Sequence, residues 1–206
     1  MKKSKIQQFN GYKDFVRPLG LMAVAVSLVI GLSGCATSDA QLQKEVDRLT
    51  VELNKYKAEE ARVKYNLSLM TKADVSMNAR DWDGFNDVHS DDVYVTSPDS
   101  PAPTENKSDH LAVVKSFVNA FPDHKIEQPY VALIGQGDYI CAVHQNGGTF
   151  TQPWHLPGTD IVIPPNGKKY TMKMVTIAKA KGDKLTEEKI IYDMADMMKQ
   201  LELDKQ

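Results

Sequence analysis

Cysteine is nearly absent. The chain of 206 residues has two, Cys35 and Cys141, which excludes a disulfide scaffold. Glycine and proline number 12 and 10, too few for a collagen-like or low-complexity chain. No apolar run approaches the roughly 20 residues of a membrane-spanning helix; the longest, 21–32, holds about ten to twelve. No sign of charge dominates, and the net is −2. Residues 1–34 nevertheless hold five bases and one acid, leaving 20 bases against 26 acids in the remainder. An acidic main body argues against binding nucleic acid, whose phosphates select the opposite sign. The chain also lacks a glycine-rich phosphate loop, a serine nucleophile elbow, a supported Cys–His pair and internal repeats. What is present, 42% hydrophobic and 25% charged residues, is ordinary globular composition and excludes a largely disordered chain.

The basic flank Lys2, Lys3, Lys5, Lys13 and Arg17, the short apolar core Leu21–Ile30 and the small residues that follow describe a secretory signal over residues 1–34. Leu32-Ser33-Gly34-Cys35 resembles the bacterial lipobox, in which the cysteine is acylated and becomes the new N-terminus. Several acyl chains, each burying CH2 groups at about 0.8 kcal/mol apiece, make stable anchoring. The resemblance implies a bacterial envelope lipoprotein held through Cys35. With Ala36 rather than Asp next, it implies sorting to the outer membrane, facing the periplasm, in a Gram-negative host. Once Cys35 is acylated, Cys141 has no disulfide partner and reads as a small apolar residue on a buried strand.

From Leu42, spacings of four and three connect Val46, Leu49, Leu53, Tyr56, Glu60, Val63, Leu67 and Met70, with charged residues between them. This 3.5-residue period predicts a helical stalk over 35–62 that self-associates through residues 42–70. The alternative is a long amphipathic helix folded back on its own domain.

A domain over 63–206 begins with helices. One runs through Asn78; Asp81 caps a second, Trp82–Val88; Ser108 caps a third, Asp109–Phe121. Val93–Val95 is a short strand, and the proline-rich 97–106 is a loop. Strands follow over Ile126–Ile134, Tyr139–Gln145, Thr149–Gln152, Lys169–Lys179 and Leu185–Asp193, with Asn146-Gly147-Gly148 as a hairpin turn and Met194–Leu201 as a helical tail. This predicts an α+β domain: a curved antiparallel sheet packed with about three helices, closing into a cone with an apolar interior that suits a ligand.

Ala79-Arg80-Asp81-Trp82-Asp83-Gly84-Phe85 and His89-Ser90-Asp91-Asp92-Val93 resemble the opening of the SnoaL-like polyketide cyclase family, part of the nuclear-transport-factor-2-like superfamily. Phe121-Pro122-Asp123, Gly148-Thr149-Phe150, Pro164–Lys168, Lys184–Glu188 and the closing Asp193 with Met197–Leu201 recur in that family's order, covering about residues 65–202. The resemblance implies the cone-shaped fold and, in cyclase members, an aspartate that moves a proton without a metal; that aspartate maps onto Asp193. Placed among Ile190, Ile191, Tyr192 and Met194, Asp193 is expected to be partly desolvated, with a raised pKa useful for acid–base work. Its other reading is a helix cap. The family's histidine after Gly-Thr is replaced by Phe150, and His144 and His155 are the candidate substitutes.

Tyr94, Phe150, Trp154, Met174 and Tyr192 are expected to line the ligand site. No metal and no cofactor is expected: His89, Asp91 and Asp92 mark a helix end, and His110 and His124 have no ligand partner at metal spacing. Two functions remain open. One is a membrane-anchored module that binds a small hydrophobic molecule. The other is a metal-independent lyase, isomerase or cyclase using Asp193.

Overall fold

The computed structural model describes residues 39–204; the signal segment and Cys35 lie outside the described residues. In chain order the elements are α1 (Asp39–Ala79), α2 (Trp82–Val88), β1 (His89–Thr96), α3 (Lys107–Ala120), β2 (Lys125–Ile126), β3 (Ala132–Gln136), β4 (Tyr139–Thr149), β5 (Trp154–His155), β6 (Val162–Ile163), β7 (Lys169–Lys181), β8 (Lys184–Ile191) and α4 (Met194–Gln200). The chain divides into two units, 1–51 and 52–206. Residues 39–51 of the first are helical and exposed throughout. No described helix is long and apolar enough to cross a membrane.

In α1 the heptad positions behave in two ways. Leu42, Val46, Leu49, Leu53 and Tyr56 are 38–62% exposed. From Val63 the same stripe packs on the sheet of its own domain. A Cβ placed on Gly135 of β3 would lie 2.9 Å from Val63 and 3.0 Å from Leu67, so only glycine admits the helix this closely. Arg62 pairs with Asp138 at 3.0 Å, and Asn66 Nδ2 donates to the Gly137 carbonyl at 3.0 Å. Val63, Leu67 and Met70 are therefore occupied within their own domain, and the open part of the expected seam is Leu42–Tyr56.

α1 ends because Arg80 takes a left-handed conformation, φ 59°, with Arg80 N donating to Met77 O and Asp81 N to Ser76 O, the Schellman pattern. The strain is offset by the Arg80 guanidinium, which donates to the carbonyls of Met77, Pro122 and His124. Asp81 then caps α2 by accepting from Gly84 N at 2.9 Å.

The main sheet runs β1-β8-β7-β4-β2, with β3 also paired to β4; β5 and β6 form a separate pair. β1 lies parallel to β8, whereas the remaining pairs are antiparallel, a departure from the wholly antiparallel sheet expected. On β7, Tyr170, Met172, Thr176, Ala178 and Ala180 are buried while Thr171, Lys173 and Ile177 face out.

Other expectations are corrected. Asn106, not Ser108, caps α3, its side chain accepting from Asp109 N. The strand expected over 126–134 is broken into β2 and β3, since Pro129 has no N–H to donate to a ladder. Asn78 instead anchors β2, its amide bonding both the N–H and the C=O of Ile126 at 2.9 Å. Asn146-Gly147-Gly148 is not a turn: these residues continue β4, paired with Met172, Thr171 and Tyr170. A two-residue turn signal yields where β7 supplies a full antiparallel partner. The expected strand 149–152 is absent, and Trp154–His155 pairs with Val162–Ile163.

Candidate functional site

Packing α3 across the concave side of the sheet leaves a cavity of about 80 Å3. Its wall is mainly apolar: Met77 from α1, Val113, Val114 and Phe117 from α3, Met172 and Met174 from β7, and Ile190 from β8. Ser97, Asp99, Ser100 and Thr104 contribute from the segment after β1, and His110, His124, Asn146 and Tyr192 add single polar groups. Tyr192 Oη and Thr104 Oγ1 are buried without a hydrogen-bond partner among the described residues.

Met174 and Tyr192, both expected at the site, line the cavity. Phe150 and Trp154 do not. At 0% and 1% exposure they belong to a second core cluster with Phe121, Tyr170 and Met197, because β4 runs past its expected turn and delivers Phe150 into that cluster. Tyr94 is 42% exposed and also lies outside the cavity wall, because it alternates with the buried Val93 and Val95 on β1.

Asp193 caps α4. Its Oδ1 accepts from Asp196 N at 2.9 Å, and the residue is exposed and absent from the cavity wall. His155 is exposed on β5, where its carbonyl accepts from Ser116 Oγ. His144 is fully buried, with Nδ1 3.0 Å from Asn146 Oδ1 and Nε2 3.3 Å from Thr176 Oγ1. It stands two residues before the cavity-lining Asn146, on the same buried face of β4. The three catalytic candidates are thus not brought together.

The structure instead gathers residues that the sequence analysis did not place in the site. His110, on the first turn of α3, and His89, at the start of β1, each put Nε2 3.6 Å from a Glu188 oxygen, an ion-pair distance rather than a hydrogen bond. His110, read in the sequence as lacking a ligand partner, therefore has two potential ones. All three residues are at most 5% exposed. Burial pushes the His110 imidazole down to about 4. Burial also opposes charge on His89, but Glu188 and the Phe85 carbonyl outweigh it and raise its pKa. Burial alone would raise Glu188; the surrounding histidines, His89 foremost, hold it below the usual range. On α1, Asp74 accepts from Tyr130 Oη at 2.8 Å, and burial lifts its carboxyl to about 7.

The sequence carried one faint signal for this cluster. Glu188 sits two residues before Ile190, on the inward face of a strand, where an acid is unexpected. Nothing local linked it to His89 or His110.

The sequence profile of the SnoaL-like polyketide cyclase family matches residues 67–201. No curated protein matches the chain. Among solved structures, a protein of Jannaschia sp. CCS1 named as SnoaL-like superposes with a TM-score of 0.59 at 15% identity, over 67% of this chain and 92% of its own. TsrD of Streptomyces laurentii superposes with 0.55 at 15% identity, over 66% and 93%. A nuclear-transport-factor-2-like protein of unknown function from Burkholderia pseudomallei gives 0.54 at 15% identity, over 66% and 97%. At these identities the likeness establishes the fold.

Proposed function

The chain belongs to the SnoaL-like polyketide cyclase family, and from that premise we propose that its domain binds a small, largely apolar molecule in the cavity beneath α3, without turning it over through Asp193. The observation that carries this reading is the make-up of the wall. Valine, methionine, isoleucine and phenylalanine side chains supply the contact area, and isolated polar groups at His110, Asn146 and Tyr192 can orient one heteroatom of the guest. The position that resemblance assigns to proton transfer, Asp193, is committed to a helix cap outside this wall. That supports binding over turnover.

Extraction of purified protein followed by mass spectrometry should recover a bound small molecule. Val114→Trp, which fills the cavity, is expected to abolish its recovery. Asp193→Asn should leave occupancy unchanged and cost less than about 1 kcal/mol, since Asn also caps well. A wild type that converts the recovered molecule, with Asp193→Asn slowing it by about 10²–10⁴-fold, would replace binding with catalysis.

The same proposal places the protein in a bacterial envelope, lipid-anchored through Cys35 and in the outer membrane of a Gram-negative host, with copies associating through α1. The signal-like segment and lipobox support the anchor, and the exposed Leu42–Tyr56 stripe supports association. Such a helix would hold the domain about 30–40 Å from the bilayer at 1.5 Å per residue. Cys35→Ser should lose fatty-acid label and membrane attachment, and light scattering of that variant should give the mass of a dimer or trimer. Equal labelling of both forms removes the anchor; a monomer mass removes the association.

A further inference from the structure

We propose that His89, His110 and Glu188 form a binding site for a divalent first-row transition metal at the cavity wall. The donors come from three different elements, β1, α3 and β8, yet one ligand atom from each lies within 4.8 Å of the others. The Nε2 atoms of both histidines are buried and have no hydrogen-bond partner among the described residues. Buried polar atoms are ordinarily hydrogen-bonded, so two imidazole nitrogens held 3.6 Å from one carboxylate, beyond hydrogen-bond reach, point to a cationic occupant between them.

The state of His89 follows from its other nitrogen. Nδ1 lies 2.7 Å from the Phe85 carbonyl oxygen, which can only accept, so Nδ1 carries a proton and donates. In the neutral ring Nε2 is then a bare lone pair, the tautomer that outer hydrogen bonds to carbonyls impose on metal-binding histidines. Phe85 also packs against both imidazoles, 4.4 Å from His89 and 5.4 Å from His110 between ring centroids, and so fixes their planes.

The donor set selects the class of ion. Two imidazoles and one carboxylate suit zinc, ferrous iron and their neighbours, whereas calcium and magnesium prefer oxygen alone. Around a tetrahedral zinc, adjacent donors stand about 3.3 Å apart, given bonds of about 2.0–2.1 Å. His89 Nε2 stands 3.6 Å from Glu188 Oε1 and His110 Nε2 3.6 Å from Oε2, and the three donors, within 4.8 Å of one another, would draw together around the ion to reach this spacing. His110 also lines the cavity, so the ion would share a wall with the molecule held there. The competing occupant is a proton, which would make His89 an imidazolium paired with Glu188.

The test uses full-length protein stripped with EDTA, dialysed, and titrated with Zn2+ and, for its spectrum, Co2+. Saturation at one equivalent per chain is expected, with a raised Tm and visible cobalt bands free of thiolate charge transfer, since Cys141 is no part of the site. Glu188→Gln and His110→Asn should each weaken binding beyond the about 10–100-fold that loss of an outer-shell partner costs. His155→Gln, outside the trio and exposed on β5, should bind as wild type does. Should the trio variants fail to fold, the wild-type cobalt spectrum and stoichiometry still decide. A titration without saturation at one equivalent, a thiolate band, or binding that survives both trio substitutions overturns the proposal and leaves the proton as occupant.

Discussion

Asp74→Asn is expected to stabilise the protein above pH 7 and to change it little below pH 4. Asp74 titrates from a usual 3.8 in the unfolded chain and about 7 in the folded one, because burial outweighs the hydrogen bond from Tyr130. Between those values the folded state holds a proton that the unfolded state has released. Wild-type stability from this group is therefore complete below about 4, declines as pH rises, and is lost above about 7. At about 1.36 kcal/mol per unit of pKa, the difference at pH 8 is on the order of 4 kcal/mol. Asparagine keeps an acceptor for Tyr130 and carries no charge to bury. The other titratable neighbours, Glu188 and His89, remain in both proteins, so their contributions largely cancel in the comparison. Urea unfolding of both proteins at pH 5 and pH 8 checks this; a stability difference equal at the two pH values would show that Asp74 does not titrate in between.

Phe150→Ala should cost about 3–5 kcal/mol while leaving ligand affinity per folded molecule unchanged. The ring is fully buried, 5.1 Å from Phe121 and 6.5 Å from Trp154 between centroids, and it is not among the residues that line the cavity. Its removal leaves a void that these rigid rings cannot close. Phe150→His, which restores the family's residue, should also destabilise, because the imidazole would sit among apolar rings rather than facing the cavity. Denaturation midpoints measure the first effect and ligand titration the second. A cost below about 1 kcal/mol, or a ligand lost from protein that is still folded, would place Phe150 at the site after all.

These two residues illustrate how differently the sequence and the folded chain inform us. Local order was legible wherever the determining atoms are neighbours in the chain. The Asp81 cap depends on an amide three residues away, the same is true of Asp193, and the strand β7 announces itself by alternation over successive residues. The order of short motifs between Ala79 and Leu201 likewise sufficed to indicate the family and hence the α+β cone. Asn106 and Ser108 compete as capping residues two positions apart, and there local preference alone chose the wrong one.

What decided the site is not local. Asn146-Gly147-Gly148 has the composition of a turn, but eleven residues of β4 find partners on β7, and a continuous ladder outweighs the preference of three residues. That extension carries Phe150 beyond the cavity and into the aromatic cluster. The parallel pairing of β1 with β8, with an irregular register after His89, sets His89 within 3.6 Å of Glu188, and the packing of α3 then lays His110 beside them. A histidine, a second histidine and a glutamate far apart in the chain have no periodicity or spacing in common. Composition and short-range hydrogen bonding determine the elements, whereas strand register and helix placement determine which side chains share a cavity, because those contacts are made between segments that carry no local record of each other.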